Sequence, residues 1–440
     1  MHTAPLDSIE ASLVEARVHE TLRAVAAHGA AERSSSPASR RLAAAVLAIA
    51  GRERDLAAAA DPQLLACRGR AEVLPVLASG GPPHSHDFIT AAVVLTWSGD
   101  RTGAYDLFSE ARERAVAEGR YHFAVAACER LAHHSILFGD FAQARSALDD
   151  ACELAARHKL TGWESRCLAR AANLALDVED LARADRLLGD RCSAESHPET
   201  RALFAPAGVR LALLCDDAAA LRSWTTETMY DLALYSNDAI VAIAAATALT
   251  LGAGDAMPLP PMTALALRRG LATIESGSSA PEFLGLAARF GRADESALAA
   301  EMLSALFAPQ RRYVEAHHRL ARAYVLLRGD ARSDAIDCAG DAARAFDAIG
   351  ARYWTNQAML LLVRPDHVDE PALRRRPTAV SLTRREQQVA HLIRRGASNR
   401  EVARTLQISE HTVERHVSSI LSRLGLRSRW QIADVRIATS

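Results

Sequence analysis

The side chains best suited to chemistry lie in the last sixty positions of this 440-residue chain. His411, Thr412, Glu414, Arg415 and Ser418 fall close together there, with Arg400 upstream and Arg423 downstream. On a helix through this stretch, Val413, Val417, Ile420 and Leu424 recur at the spacing of a buried stripe. His411, Arg415, Ser418 and Ser422 then occupy the opposite face, and Glu414 its flank. Imidazole, hydroxyl and guanidinium groups on one polar face just past a helix N-terminus suit hydrogen bonding to base edges in a major groove.

The surrounding residues supply the elements that would hold this face. Thr383 with Glu386, Ser398 with Glu401, and Ser428 with Gln431 each place an acceptor at a helix start and a Glu or Gln three residues on, the reciprocal capping arrangement. Ser409, with Thr412 at the third position, starts another helix with half of that arrangement. Four helix starts predict a small four-helix domain. Ala403 is small enough to let two helices cross closely, and Val413 is stiff at the crossing. Gly425 ends the third helix.

From Val380 to Ile437 these residues resemble the DNA-binding domain of the LuxR family of bacterial transcription regulators. The resemblance implies that the third helix enters the major groove, the second crosses above it, and the fourth makes a dimer contact. Carried over, it places His411, Arg415 and Ser418 near bases and Thr412, Arg400 and Arg423 on phosphates. Trp430, Ala433 and Ile437 fall near the dimer seam. Glu414 departs from the family, which usually has a basic residue there. Either it accepts a hydrogen bond from cytosine N4–H and changes the base preference, or it turns aside toward an arginine.

Charge is divided unevenly. The whole chain carries −1, while Val380 to Ser440 holds eleven Arg against five acidic residues, +6, leaving −7 for the rest. A basic tail on an acidic body draws affinity from phosphate neutralisation and counterion release.

Absences narrow the function further. The one lysine, Lys159, lies in His158-Lys159-Leu160-Thr161, so no P-loop can form. Large LuxR-type regulators often carry an ATPase module ahead of a helical-repeat domain, and the resemblance therefore points to a regulator without that motor. A receiver domain, with its βα alternation and lysine beside an acidic pocket, is equally disfavoured. There is no G-x-S-x-G elbow and no local base beside Cys128 or Cys152, so no nucleophile is expected and the chain reads as no enzyme. His133-His134 and His317-His318 diverge on a helix and lack a completing ligand. They are expected to be surface histidines, with no metal and no cofactor. Seven Cys without a CxxC pair read as reduced, buried thiols. With no signal-peptide order at the start, and Leu42–Ala50 too short to span a bilayer, a cytoplasmic protein with no membrane partner is expected.

Upstream of the tail runs a repeat. Gly99-Asp100, Gly139-Asp140 and Asp180 are spaced at forty residues, and behind each come Ala104 and Phe108, Ala144 and Leu148, Ala184 and Leu188. Leu327-Arg328-Gly329-Asp330 and Ala335 repeat the pattern. Helical hairpins at a fixed period bury their apolar faces only by stacking, so the expected class is all-α: a tetratricopeptide-like solenoid followed by the helix-turn-helix domain. Trp97, Trp163, Trp224 and Trp354 are expected between hairpins rather than in a ligand groove. Punctuation gives an N-terminal helical segment 1–79, a repeat domain 80–364, a Pro/Arg-rich linker 365–379 and the DNA-binding domain 380–440.

The expected function is sequence-specific binding of double-stranded DNA in transcription control, as a homodimer at least on DNA. The repeat body would sense a small molecule or a protein partner. The competing reading is a helical-repeat scaffold whose C-terminal domain binds protein.

Overall fold

A computed structural model describes residues 37–50, 56, 59–79, 82–189, 198–215, 217–234, 239–253, 261–273, 281–305, 310–329 and 331–363, and near the C-terminus 389, 402, 403, 406, 412, 413 and 417. The chain forms two compact units, Met1–Glu370 and Pro371–Ser440. Among the described residues there is no β-strand.

The first unit is a run of helices. It opens with α1 (Pro37–Ala50), α2 (Pro62–Ala66) and α3 (Arg70–Ser79). The regular part follows with α4 (Ser85–Ser98), α5 (Arg101–Ala117), α6 (Tyr121–Leu137), α7 (Phe141–Arg157), α8 (Thr161–Asp177) and the shorter α9 (Leu181–Leu188). From α5 to α8 every helix has 17 residues. Three-residue links join them, and this produces the forty-residue period, longer than the usual tetratricopeptide unit.

Each link is the same turn. The Gly119 N–H donates to the Val116 carbonyl and the Arg120 N–H to the Ala115 carbonyl; Gly139 with Asp140, Lys159 with Leu160 and Glu179 with Asp180 do likewise. This is the Schellman arrangement, in which the linking residue just before the last must be left-handed. Glycine meets that need at 99, 119 and 139, whereas Lys159 and Glu179 hold φ of 56° and 59° without its freedom.

The recurring aspartates begin helices. Asp100, Asp140 and Asp180 accept from the N–H groups of Gly103, Gln143 and Arg183 at 2.9, 3.1 and 3.1 Å. The second oxygens of Asp140 and Asp180 take Arg101 at 2.8 Å and Arg145 at 2.7 Å from the preceding hairpin. One residue type thus caps its own helix and joins it to its neighbour. Ala104, Phe108, Ala144, Leu148, Ala184 and Leu188 are all buried, as the periodicity predicts.

The chain continues through α10 (Pro198–Cys215), α11 (Ala218–Leu234), the almost wholly apolar α12 (Ala239–Ala253), α13 (Pro261–Thr273), α14 (Pro281–Phe290) and α15 (Ala293–Ala305). It ends in α16 (Arg312–Arg328), α17 (Arg332–Ala348) and α18 (Arg352–Val363). At the far end the repeat slips by a residue: Gly329 has φ −93° and Ala331, not Asp330, precedes α17 without a side-chain cap. Asp330 itself lies outside the described residues.

The last hairpins return to the first, packing α16 on α6 and α18 on α8. Arg311 donates to the carbonyls of Thr96 and Trp97, at 2.6 and 2.9 Å, satisfying orphan groups at the end of α4. At Gly139 an added Cβ would lie 2.6 Å from Ile349 Cγ2, so this left-handed turn also has to be glycine for the closure to fit. The tryptophans pack as expected. Trp163 and Trp354 are buried, and Trp224 lies where a Cβ on Gly208 would stand, 2.1 Å from its ring.

Candidate nucleic-acid interface

Within Pro371–Ser440 the described residues are apolar positions of the predicted helices and Thr412. Val389, Val402 and Val413 are fully buried and Ala403 nearly so. Leu406, Thr412 and Val417 are helical and half-buried. Val413 therefore occupies the buried stripe drawn from periodicity, and Ala403 the interior position expected of a close crossing. The remaining interface candidates, Arg400, His411, Glu414, Arg415, Ser418, Arg423, Trp430, Ala433 and Ile437, lie outside the described residues, as do the predicted caps Thr383, Ser398, Ser409 and Ser428.

A small basic helical unit that buries Val402, Ala403 and Val413 is of the helix-turn-helix class. Residues 380–436 match the family described as bacterial regulatory proteins, luxR family. The chain carries a C-terminal LuxR-family DNA-binding domain of transcription regulators. Over 52 residues it is 50% identical to an uncharacterized transcriptional regulatory protein of Bacillus subtilis, YhcZ, covering 12% of this chain and 24% of that protein. The nitrate/nitrite response regulator protein NarP of Escherichia coli is 46% identical over 48 residues, 11% of this chain and 22% of NarP. The CsgBAC operon transcriptional regulatory protein of the same organism is 42% identical over 50 residues, 11% of this chain and 23% of that protein. The matched segment spans about a quarter of the length of these three relatives.

In the helical-repeat body, polar chemistry concentrates where the last helices meet the earlier ones. Asp177, at the end of α8, accepts from Arg210 of α10 at 2.8 Å and from the Trp354 indole of α18 at 2.9 Å. The Tyr313 hydroxyl lies 3.3 Å from the same carboxylate and donates to Glu282 of α14 at 2.9 Å. Arg210 also stacks over Tyr353, 4.1 Å from its centroid. Burial, then the Asp177 charge, push the Glu282 carboxyl up, and burial pushes the Tyr313 hydroxyl well up. These groups tie five helices together, α8, α10, α14, α16 and α18.

The histidines differ from their expected surface placement. His133 and His134 are buried on α6 and His317 is fully buried on α16. The reason is enclosure: α6 packs against α4, α5, α7, α8 and α16, so it keeps no solvent face. Burial pushes both His134 and His317 down to about 3. His134 pairs with Thr96 at 2.9 Å, whereas neither ring nitrogen of His317 has a hydrogen-bond partner and its ring meets Tyr313, Phe346 and Trp354 edge-on. His318 is half-buried, its pKa lowered by burial.

Two clefts open over repeat helices. One, of about 390 Å³, is lined by Glu315, His318, Arg319, Arg322, Cys338 and Asp341. The other, of about 230 Å³, has an apolar floor including Leu148, Ala171 and Leu174, with Arg145 and Arg183 at its rim. Cys67, Cys128 and Cys167 are buried and Cys152, Cys215 and Cys338 half-buried, none in a disulfide; Cys192 lies outside the described residues. No helix among the described residues is long and apolar enough to cross a membrane.

Proposed function

We propose that this chain is a sequence-specific DNA-binding transcription regulator. In this reading Arg415, Ser418 and His411 face bases, with Glu414 beside them. Thr412, Arg400 and Arg423 hold phosphates, and Trp430, Ala433 and Ile437 lie at a homodimer seam formed at least on DNA. The helical-repeat body senses a small molecule or a protein partner and controls presentation of the basic tail in the cytoplasm. The single observation that carries this is the burial of Val402, Ala403 and Val413 in a segment that matches a DNA-binding family and carries a charge of +6.

The clefts support a sensing role. The larger offers arginine, histidine and carboxylate groups together, the mixture that orients a small polar ligand. Titrating the full chain against duplex DNA at two salt concentrations tests the DNA-binding part. Affinity should fall steeply with salt; the absence of salt-dependent binding would favour a protein-binding scaffold instead.

A further inference from the structure

The body holds one pair of reactive groups that neither the repeat architecture nor DNA binding uses. Cys152 of α7 and Cys167 of α8 face each other across an antiparallel hairpin, seven residues before and eight after the turn residue Lys159. Cys152 packs against the buried core cluster that contains Cys167, and hydrogen bonding between the two thiols shifts the titration of both. Cys152 is half-buried and open to small solutes, while Cys167 is fully buried behind it.

We propose that Cys152 and Cys167 are a modification site, a dithiol that a hydroperoxide converts to a disulfide. The Cys152 thiolate attacks the distal peroxide oxygen; the O–O bond breaks, and water (or an alcohol) leaves as Cys152 becomes a sulfenic acid. The Cys167 sulfur then attacks the Cys152 sulfur, the S–O bond breaks, and a second water departs with the Cys167 proton. Two thiols are oxidised by two electrons and one peroxide is reduced.

The environment favours this division of labour. The shared hydrogen bond holds the Cys152 thiol below its ordinary range and, with burial, drives Cys167 well above it; Arg183 assists the Cys152 thiolate against Asp149 and Glu164. Cys128 provides the contrast, its thiol pushed up to about 12 by burial. Closing the bond draws the sulfurs to about 2.05 Å and pins α7 to α8. Leu148 and Ala171, each one helical turn from a cysteine of the pair, belong to the floor of the 230 Å³ cleft, so oxidation narrows one end of that cleft.

The test uses the reduced full-length chain, treated with hydrogen peroxide, alkylated and mapped by peptide mass spectrometry. The expected product is a Cys152–Cys167 linked peptide, formed about tenfold faster than any modification of Cys128 and reversed by dithiothreitol. Cys152→Ser should abolish it. Cys167→Ser should leave a sulfenic acid on Cys152 that dimedone traps. The proposal fails if Cys152 stays alkylatable while other thiols oxidise, or if linked peptides pair the cysteines indiscriminately. Mapping the wild-type chain alone decides the outcome if either variant fails to fold.

Discussion

The Trp354 indole N–H donates to the Asp177 carboxylate at 2.9 Å, across 177 residues of sequence. The same Asp177 oxygen accepts from Arg210. Three helices of the body therefore depend on one buried acid, and its removal strands a guanidinium that is only 4% exposed. Asp177→Ala should cost about 3–5 kcal/mol, because breaking a buried pair leaves an uncompensated charge. Trp354→Phe, which removes one neutral donor but keeps the ring, should cost about 1–2 kcal/mol. Glu153→Ala, which breaks a pair whose partners are 70% and 64% exposed, should cost less than about 1 kcal/mol. Urea unfolding of the three variants checks the ranking, and an Asp177→Ala effect no larger than that of Glu153→Ala would refute the hub.

The turn geometry makes a stabilising prediction. Lys159 and Glu179 occupy the left-handed position that glycine fills at 99, 119 and 139. For a residue with a Cβ this costs about 1–2 kcal/mol, of which part is recovered because glycine also loosens the unfolded chain. Lys159→Gly and Glu179→Gly should each stabilise by about 0.5–1 kcal/mol. Gly139→Ala should destabilise by more than Gly119→Ala, since only at 139 does the new methyl meet Ile349. Thermal melts of the four variants decide, and destabilisation by Lys159→Gly would show that the lysine side chain outweighs its backbone.

The repeat was legible in sequence because local physics wrote it there. Asp100, Asp140 and Asp180 cap helices, an effect confined to four residues, and Ala104 with Phe108 follows helical periodicity. Val413 was legible for the same reason. The return of α16 and α18 onto α6 and α8 was not, since pairs such as Arg311 with Thr96, 215 positions apart, leave no periodic trace. That closure also explains His317, which Phe346 and Trp354 of the last helices enclose, whereas His134 is covered mainly by the early helices, against Thr96 of α4 and Phe108 of α5. Cys152 and Cys167 form no CxxC motif, and their meeting became visible only once the turn was fixed at Lys159.

At the DNA-binding tail, the predicted base contacts separate from the phosphate contacts by their sequence dependence. Arg415→Ala should weaken binding at a specific duplex by about 1–3 kcal/mol while leaving random DNA nearly unchanged. Arg423→Ala should weaken both equally and lower the salt slope by about one. Competition binding at fixed salt with specific and random duplexes distinguishes them. An equal loss on both duplexes for Arg415→Ala would remove that residue from base recognition.

Stability should fall on mild acidification, through the buried histidines. His134 and His317 sit at about 3 in the folded chain, against about 6.5 when unfolded, because burial penalises the cation. The unfolded chain therefore binds more protons below pH 6.5, so the stability these groups permit is complete above that value and drains away as pH falls toward 3. Each histidine removes about 1.4 kcal/mol per pH unit in that window, or about 2 kcal/mol between pH 6.5 and 5. Glu282 works in the opposite direction: burial and Asp177 raise it, so its contribution is present at low pH and lost as pH rises through its folded value. Asp87, also raised by burial, acts with Glu282, while His318, lowered by burial, acts with the other two; three histidines against two carboxylates should give a net loss with acid. His317→Phe keeps an aromatic ring among Tyr313, Phe346 and Trp354 and removes one titrating group. Whatever fixed packing cost it carries cancels when the same variant is compared at pH 7 and pH 5. Its unfolding free energy, from urea titration, should change between those values by about 2 kcal/mol less than that of the wild-type chain. An identical shift would mean that His317 gains water or a partner before the body unfolds.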